Sequence, residues 1–175
     1  MTILAGWREQ YDRMLRSHTR LSRLAGGEVM ASSDEARDVL FHLFQDAYHL
    51  KDWIKNDPAV QTSSPEKIVN DETALRLCAD LCNGTKHFGL NATKHPPRTG
   101  DPATAFTSQS VTVRPATVHA KVIDGKLIND PSESPRPALH YWSVASGGQE
   151  YDALPLAADV VSVWEKWLRK EGLLT

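Results

Sequence analysis

Asn83, Lys86 and His87 stand close together in the segment Cys82-Asn83-Gly84-Thr85-Lys86-His87. A histidine there can take or give a proton near neutral pH. A lysine can stabilise charge developing on a phosphoryl oxygen, and an amide can orient the histidine or the substrate. Lys94, His95 and Arg98 follow as candidate substrate contacts. From Asn83 to Arg98 two lysines and one arginine meet no carboxylate, a local charge of +3 in a chain whose net charge is −2. Such a patch attracts a phosphodiester. The bland alternative is an ordinary helix C-terminus, where Asn, Gly, Lys and His are all favoured.

Two further constellations involve the same segment. His42, Asp46, His49 and Asp52 share one face of a predicted helix. They read as a solvated polar face, as polar partners of His87 together with Asp80, or with His87 as metal ligands in a bundle. The next helix carries no matching Glu-x-x-His. Cys78 and Cys82, four apart, read as small core hydrophobes. A zinc site drawn from them with His87 and His95 lacks the two separated ligand pairs that such sites usually bring. No glycine-rich phosphate loop, G-x-S-x-G or H-E-x-x-H occurs, so no cofactor or metal is expected.

The elements that must position these residues are mostly helical. Leu4, Trp7, Tyr11, Met14, His18, Leu21 and Ala25 repeat at 3-4 spacing, predicting a helix over 2–25 that Gly26-Gly27 ends. A second helix is expected over 34–56, capped by Ser32 or Ser33 and stopped by Asp57-Pro58. Val39, Leu40, Leu43, Ala47, Leu50 and Ile54, widened by Phe41, Phe44 and Tyr48, make it a central helix. A third starts at Ser63-Ser64-Pro65-Glu66, with Glu66 able to close a capping box and a break possible near Asn70-Asp71. Its buried face is Ala74, Leu75, Leu77, Cys78, Leu81 and Cys82, and Arg76, Asp80, Asn83 and His87 lie on the other side. Leu156 to Glu171 forms the last helix, ended by Gly172.

Between residues 91 and 137 seven prolines interrupt the helical pattern. Ser110–Val113, Thr117–Ile123, Lys126–Ile128 and Leu139–Val144 alternate as strands do, and Asp124-Gly125 is a hairpin signal. Residues 129–137 read as a loop. The expected fold is mainly α: a four-helix up-down bundle in one domain, 1–175. The bundle takes residues 1–90 and 154–173, and a small β-hairpin-rich insertion at about 106–151 lies within 91–153.

The length suits one domain with a core of ordinary size, and 41% hydrophobic and 24% charged residues are typical of globular chains. The opening residues lack an apolar leader core, and no stretch nears the roughly 20 apolar residues of a membrane span. With only two cysteines, a cytoplasmic protein without membrane association is expected.

The helical pattern with Asn83 and His87 resembles the HEPN superfamily, small helical bundles of prokaryotic defence and toxin–antitoxin systems. Many are dimeric, metal-independent ribonucleases. Their signature is an arginine, commonly followed by a polar residue, with a histidine a few residues on. Asn83 and His87 match that polar residue and histidine, Cys82 stands where the arginine belongs, and Arg76 lies too far upstream to fill the place. The resemblance implies RNA binding or metal-independent cleavage through His87 and Lys86. The cysteine points to an alternative, a non-catalytic homodimer or partner-binding module of a toxin–antitoxin or defence system. A metal-dependent bundle enzyme using His42, Asp46, His49 and His87 is the third reading.

Overall fold

The computed structural model describes residues 6–26, 28–29, 31–61, 64–87, 90, 96–99, 110–114, 120–129 and 141–175. Helices α1 (Trp7–Ala25), α2 (Ser33–Asn56), α3 (Pro65–Asp71) and α4 (Thr73–His87) precede five strands. These are β1 (Ser110–Arg114), β2 (Ala120–Ile123), β3 (Lys126–Asn129), β4 (Tyr141–Ser146) and β5 (Gln149–Asp152), and α5 (Ala153–Lys170) follows.

Side-chain contacts fix the helix directions. Trp7 at the start of α1 donates its backbone N–H to Asp57 just past α2, 3.0 Å away, and Ser17 Oγ further along α1 donates to Asp46 Oδ2 at 2.7 Å. The two helices are therefore antiparallel. Cys82 lies against His49, and Leu81 and Thr85 face Phe41 to Gln45, so α4 runs antiparallel to α2. Tyr11 Oη reaches Glu165 and Arg8 reaches the Leu173 carbonyl, which sets α5 antiparallel to α1. The result is the expected up-down bundle, mainly α, with small β structure before the last helix.

Helix ends follow the sequence closely. Ser32 closes a capping box with Glu35 at the start of α2, satisfying two otherwise orphaned donors. Asp57 ends α2 and caps α1, and Gly6, at φ 81°, makes this possible. A Cβ on Gly6 would sit 2.7 Å from Asp57 Oδ2, and the left-handed backbone favours glycine in any case. Asp152 caps α5 by accepting from the Leu154 N–H, so that helix starts three residues before Leu156, with Pro155 tolerated in its first turn.

The third helix is divided. Glu72 is extended (φ −97°, ψ 122°), donates its N–H to Ile68 and accepts from Arg76. One residue thus ends α3 and begins α4. The helix begins at Pro65 behind Ser64, which makes no side-chain cap hydrogen bond, so Glu66 stands at the second helical position rather than the third that a capping box needs; Ser63 lies outside the described residues.

α2 is central. Leu40, Leu43, Phe44, Ala47, Leu50 and Ile54 are buried against Leu75, Leu77, Cys78 and Leu81 of α4 and Trp164 and Leu168 of α5. Each such side chain contributes roughly 1.5–3 kcal/mol on burial. The Trp164 indole N–H also donates to the Ala47 carbonyl at 3.0 Å, and its ring meets Trp167 edge-on.

The strands form a three-stranded antiparallel sheet, β1-β4-β5, and a β2-β3 hairpin. Asp124-Gly125 turns that hairpin, both at positive φ, as the Asp-Gly signal predicts. Gly147-Gly148, also at positive φ, joins β4 to β5, a strand the alternation pattern missed. Trp142 and Val144 of β4 are buried in the same core as the helices. The strand expected at Thr117–His119 and the loop over 130–137 lie outside the described residues.

Candidate functional site

The C-terminal turns of α4 carry the chemistry-bearing segment. Asn83 is half-buried and Lys86 exposed, and His87 is the last helical residue; its side chain is outside the described set. Thr85 Oγ donates back to the Leu81 and Cys82 carbonyls, which satisfies two acceptors that a helix end leaves open.

Cys82 faces inward, 7% exposed, with its sulfur 3.7 Å from His49 Nε2. Burial pushes its thiol above the ordinary range, while the positive charges of Lys86 and Lys51 pull the other way without prevailing. Cys82 is therefore a packed thiol rather than a reactive thiolate. Cys78 is fully buried, and burial raises its thiol well above the usual value. Beside Cys82 a groove of about 230 Å³ opens between α2 and α4, lined by Asp38, Phe41, His42, Leu81, Cys82 and Thr85 among others.

The polar stripe of α2 divides between two neighbours. Asp46 turns to α1, accepting from Gln10 Nε2 and Ser17 Oγ. His49 turns to α4, and His42 is exposed at the groove. Asp52 is bonded to Lys51 at 2.6 Å. The metal set of His42, Asp46 and His49 is therefore not assembled. Among the described residues no three His, Cys, Asp or Glu side chains converge on a common point suited to a metal ion.

Asp80 departs from its expected place on the outer face of α4. It is fully buried, because residues 96–99 fold over it. Its two carboxylate oxygens accept from the backbone N–H groups of Arg98 (2.6 Å) and Thr99 (3.0 Å). Burial raises its pKa above the ordinary carboxylate value, opposed by those hydrogen bonds. Asp80 is thus an anchor for the 96–99 stretch and makes no described contact to the α4 terminus.

That anchor delivers Arg98 to a network that the sequence did not reveal. The Arg98 guanidinium donates to Asn70 Oδ1 at 2.8 Å, to Tyr48 Oη at 3.4 Å and to Glu66 Oε2 at 3.5 Å, and lies 5.6 Å from the centre of the Tyr48 ring. Lys51, 6% exposed, reaches Glu66 Oε1 at 3.2 Å from the other side and sits 4.7 Å from the same ring. Burial alone would lower the lysine's pKa. The hydrogen bond with Asp52, reinforced by Tyr48 and Glu66, outweighs it and raises the value, so Lys51 stays charged. Glu66 is thus shared by two cations.

Arg98 was expected to touch substrate. Its guanidinium is instead occupied by Glu66, Asn70 and Tyr48. Lys94 and His95 lie outside the described residues. Of the segment's cations, Lys86 alone among the described residues has an exposed side chain. Lys51 and Glu66 could have been flagged by one signal, a Lys and a Glu on otherwise apolar helix faces, since buried charges are nearly always paired.

No protein-family model matches the chain, and no curated protein or solved structure matches it. No described helix is long and apolar enough to cross a membrane.

Proposed function

We propose that this chain is a HEPN-like RNA-binding protein that cleaves RNA without metal through His87 and Lys86, with Asn83 orienting the reacting groups. The observation that carries the reading is the end of α4. Lys86 is exposed and Asn83 half-buried one turn apart, beside Cys82 and Thr85, which line a groove that also holds His42. In this reading RNA's own 2′-hydroxyl attacks the adjacent phosphorus, forming the new P–O bond as the bond to the 5′-oxygen breaks. His87 takes the 2′-hydroxyl proton while solvent water protonates the leaving 5′-oxygen, and the Lys86 ammonium stabilises the charge gathering on the non-bridging oxygens.

The test is incubation of the purified protein with total RNA in excess chelator. Cleavage is expected, and His87→Ala is expected to lower its rate about 10²–10⁴-fold, the usual loss on removing a general acid or base. No cleavage by the wild type, or equal cleavage by the variant, contradicts catalysis.

A second reading, a non-catalytic homodimeric or partner-binding module of a toxin–antitoxin or defence system, is favoured by one observation. Position 82 holds a buried thiol packed on His49, with no guanidinium to hold a phosphate. It predicts a dimer or a co-purifying partner in a mass measurement, and RNA that is bound but left intact. A strict monomer without a partner contradicts it.

A further inference from the structure

The first helix carries five arginines, Arg8, Arg13, Arg16, Arg20 and Arg23, against two carboxylates, Glu9 and Asp12. Arg16, Arg20 and Arg23 follow helical 4-3 spacing, lie on one exposed face and span about 10 Å along the axis at the usual rise. With Leu15, Thr19 and Val29 they line a groove of about 490 Å³. Val29, 38% exposed, is the only large hydrophobic residue among those described that is this open to solvent. Two of the arginines already have partners. Arg16 meets Glu9 at 3.3 Å and Arg23 meets Glu28 at 3.2 Å, with arginine side chains 62% and 56% exposed. Exposed pairs of this kind hold their partners weakly, by about 0–1 kcal/mol, so a stronger anion can displace them.

The position of this face gives it meaning. Ser17 lies level with Asp46, and antiparallel α2 then brings Arg20 and Arg23 level with the first half of α2. Thr85 of α4 is level with that same half, facing His42 and Gln45. Arg20, Arg23 and Lys86 therefore sit towards one end of the bundle, on either flank of α2, with Arg16 continuing the α1 face to mid-helix.

We infer that the Arg16/Arg20/Arg23 face of α1 binds the phosphate backbone of single-stranded RNA and leads the strand over the bundle end toward Lys86. This rests on the RNA reading above and adds to it where the strand is held. Guanidinium forks match phosphate oxygens, and their flat faces accept unstacked bases. An acidic protein segment could also seat on α1, but it would have no need of the Lys86 side; a strand crossing the end uses both.

The test is binding of a fluorescent single-stranded RNA of about 20 nucleotides to the full chain over a salt series, with polyglutamate as competitor. The combined variant Arg16→Gln, Arg20→Gln, Arg23→Gln is compared with Lys67→Gln, Lys166→Gln, Lys170→Gln, which removes equal charge from exposed sites on α3 and α5. The arginine variant should bind roughly tenfold or more weakly, and its log–log salt slope should be shallower by about 2, at ~0.7 per lost phosphate contact on single strands. The lysine variant should stay near wild type. Each single arginine variant should flatten the slope by about 0.7, which keeps the test open should the triple variant fold poorly. If the arginine variant binds like wild type while Lys86→Ala does not, this inference is overturned and the RNA reading stands. Equal losses in the arginine and lysine variants overturn it as mere net charge. Displacement by polyglutamate at equal charge overturns it in favour of an acidic protein partner, and no RNA binding by the wild type overturns both.

Discussion

At the scale of single residues, the buried charges are the most informative. Lys51 is held between Asp52, Glu66 and the Tyr48 ring. Lys51→Met should cost about 3 kcal/mol in urea denaturation, since it leaves Glu66 sharing only Arg98 and strands a partly buried carboxylate. An unchanged midpoint would mean that the network is solvated and contributes little. Asp80 makes a pH-dependent prediction with a definite sign. Its folded pKa is raised, so the folded state binds more protons than the unfolded state once pH exceeds the ordinary carboxylate value. Its contribution is most favourable at acid pH and is lost as pH rises through the folded pKa. Asp80→Asn should flatten that fall above the ordinary carboxylate value. It should also cost roughly 1–3 kcal/mol, because one amide nitrogen would face a backbone N–H in place of an acceptor. Denaturation curves at several pH values check both parts; a variant as pH-dependent as wild type contradicts the assignment. The role of Asp80 was not legible beforehand. Asp80 sits at a polar position of an amphipathic helix, and only residues 96–99, remote in sequence, bury it.

At the scale of elements, the sequence is a good guide where a local rule decides. The 3-4 stripes, the Ser32 cap, the Asp57-Pro58 stop and the Asp-Gly turn all act within a few residues, and all appear in the structure. It is a poor guide where a tertiary partner competes. Glu66 reads locally as a capping glutamate, yet α3 starts at Pro65 and so puts it one position early, and two cations reached through folding, Lys51 and Arg98, take its oxygens. β5 is only four residues long, and its Gln149-Glu150-Tyr151-Asp152 has little apolar alternation to read. The joint between α1 and α2 gives a test at this scale. Gly6→Ala should destabilise by about 1–3 kcal/mol, since it imposes an unfavourable backbone and pushes a methyl group into Asp57. Asp57→Ala should cost about 1 kcal/mol through the lost cap of α1. In the double variant the clash has nothing to strike, so the two costs should fall short of additivity. Thermal melts of the three variants read this directly.

At the scale of the whole molecule, helices and sheet share one core. Trp142 and Val144 of β4 pack with the helical side chains, so the β structure is part of the bundle's stability rather than an appendage. Charge is distributed with less symmetry. The chain is net −2, yet α1 alone is +3, and two of its five arginines, Arg20 and Arg23, lie towards the bundle end that also presents Lys86. The candidate site was legible as residue types at the end of α4, but its surroundings were not, because the second basic face comes from a helix some sixty residues earlier and is brought level with it only by the antiparallel packing of α2. The central claim is that RNA contacts this end. Ultraviolet crosslinking of the wild-type protein to RNA, followed by mass spectrometry of the digested chain, tests it most directly. Crosslinked peptides should map to the last turns of α4, around Asn83 to His87. Crosslinks confined to the groove around Lys67 and Lys166 of α3 and α5, or none at all, would contradict the account.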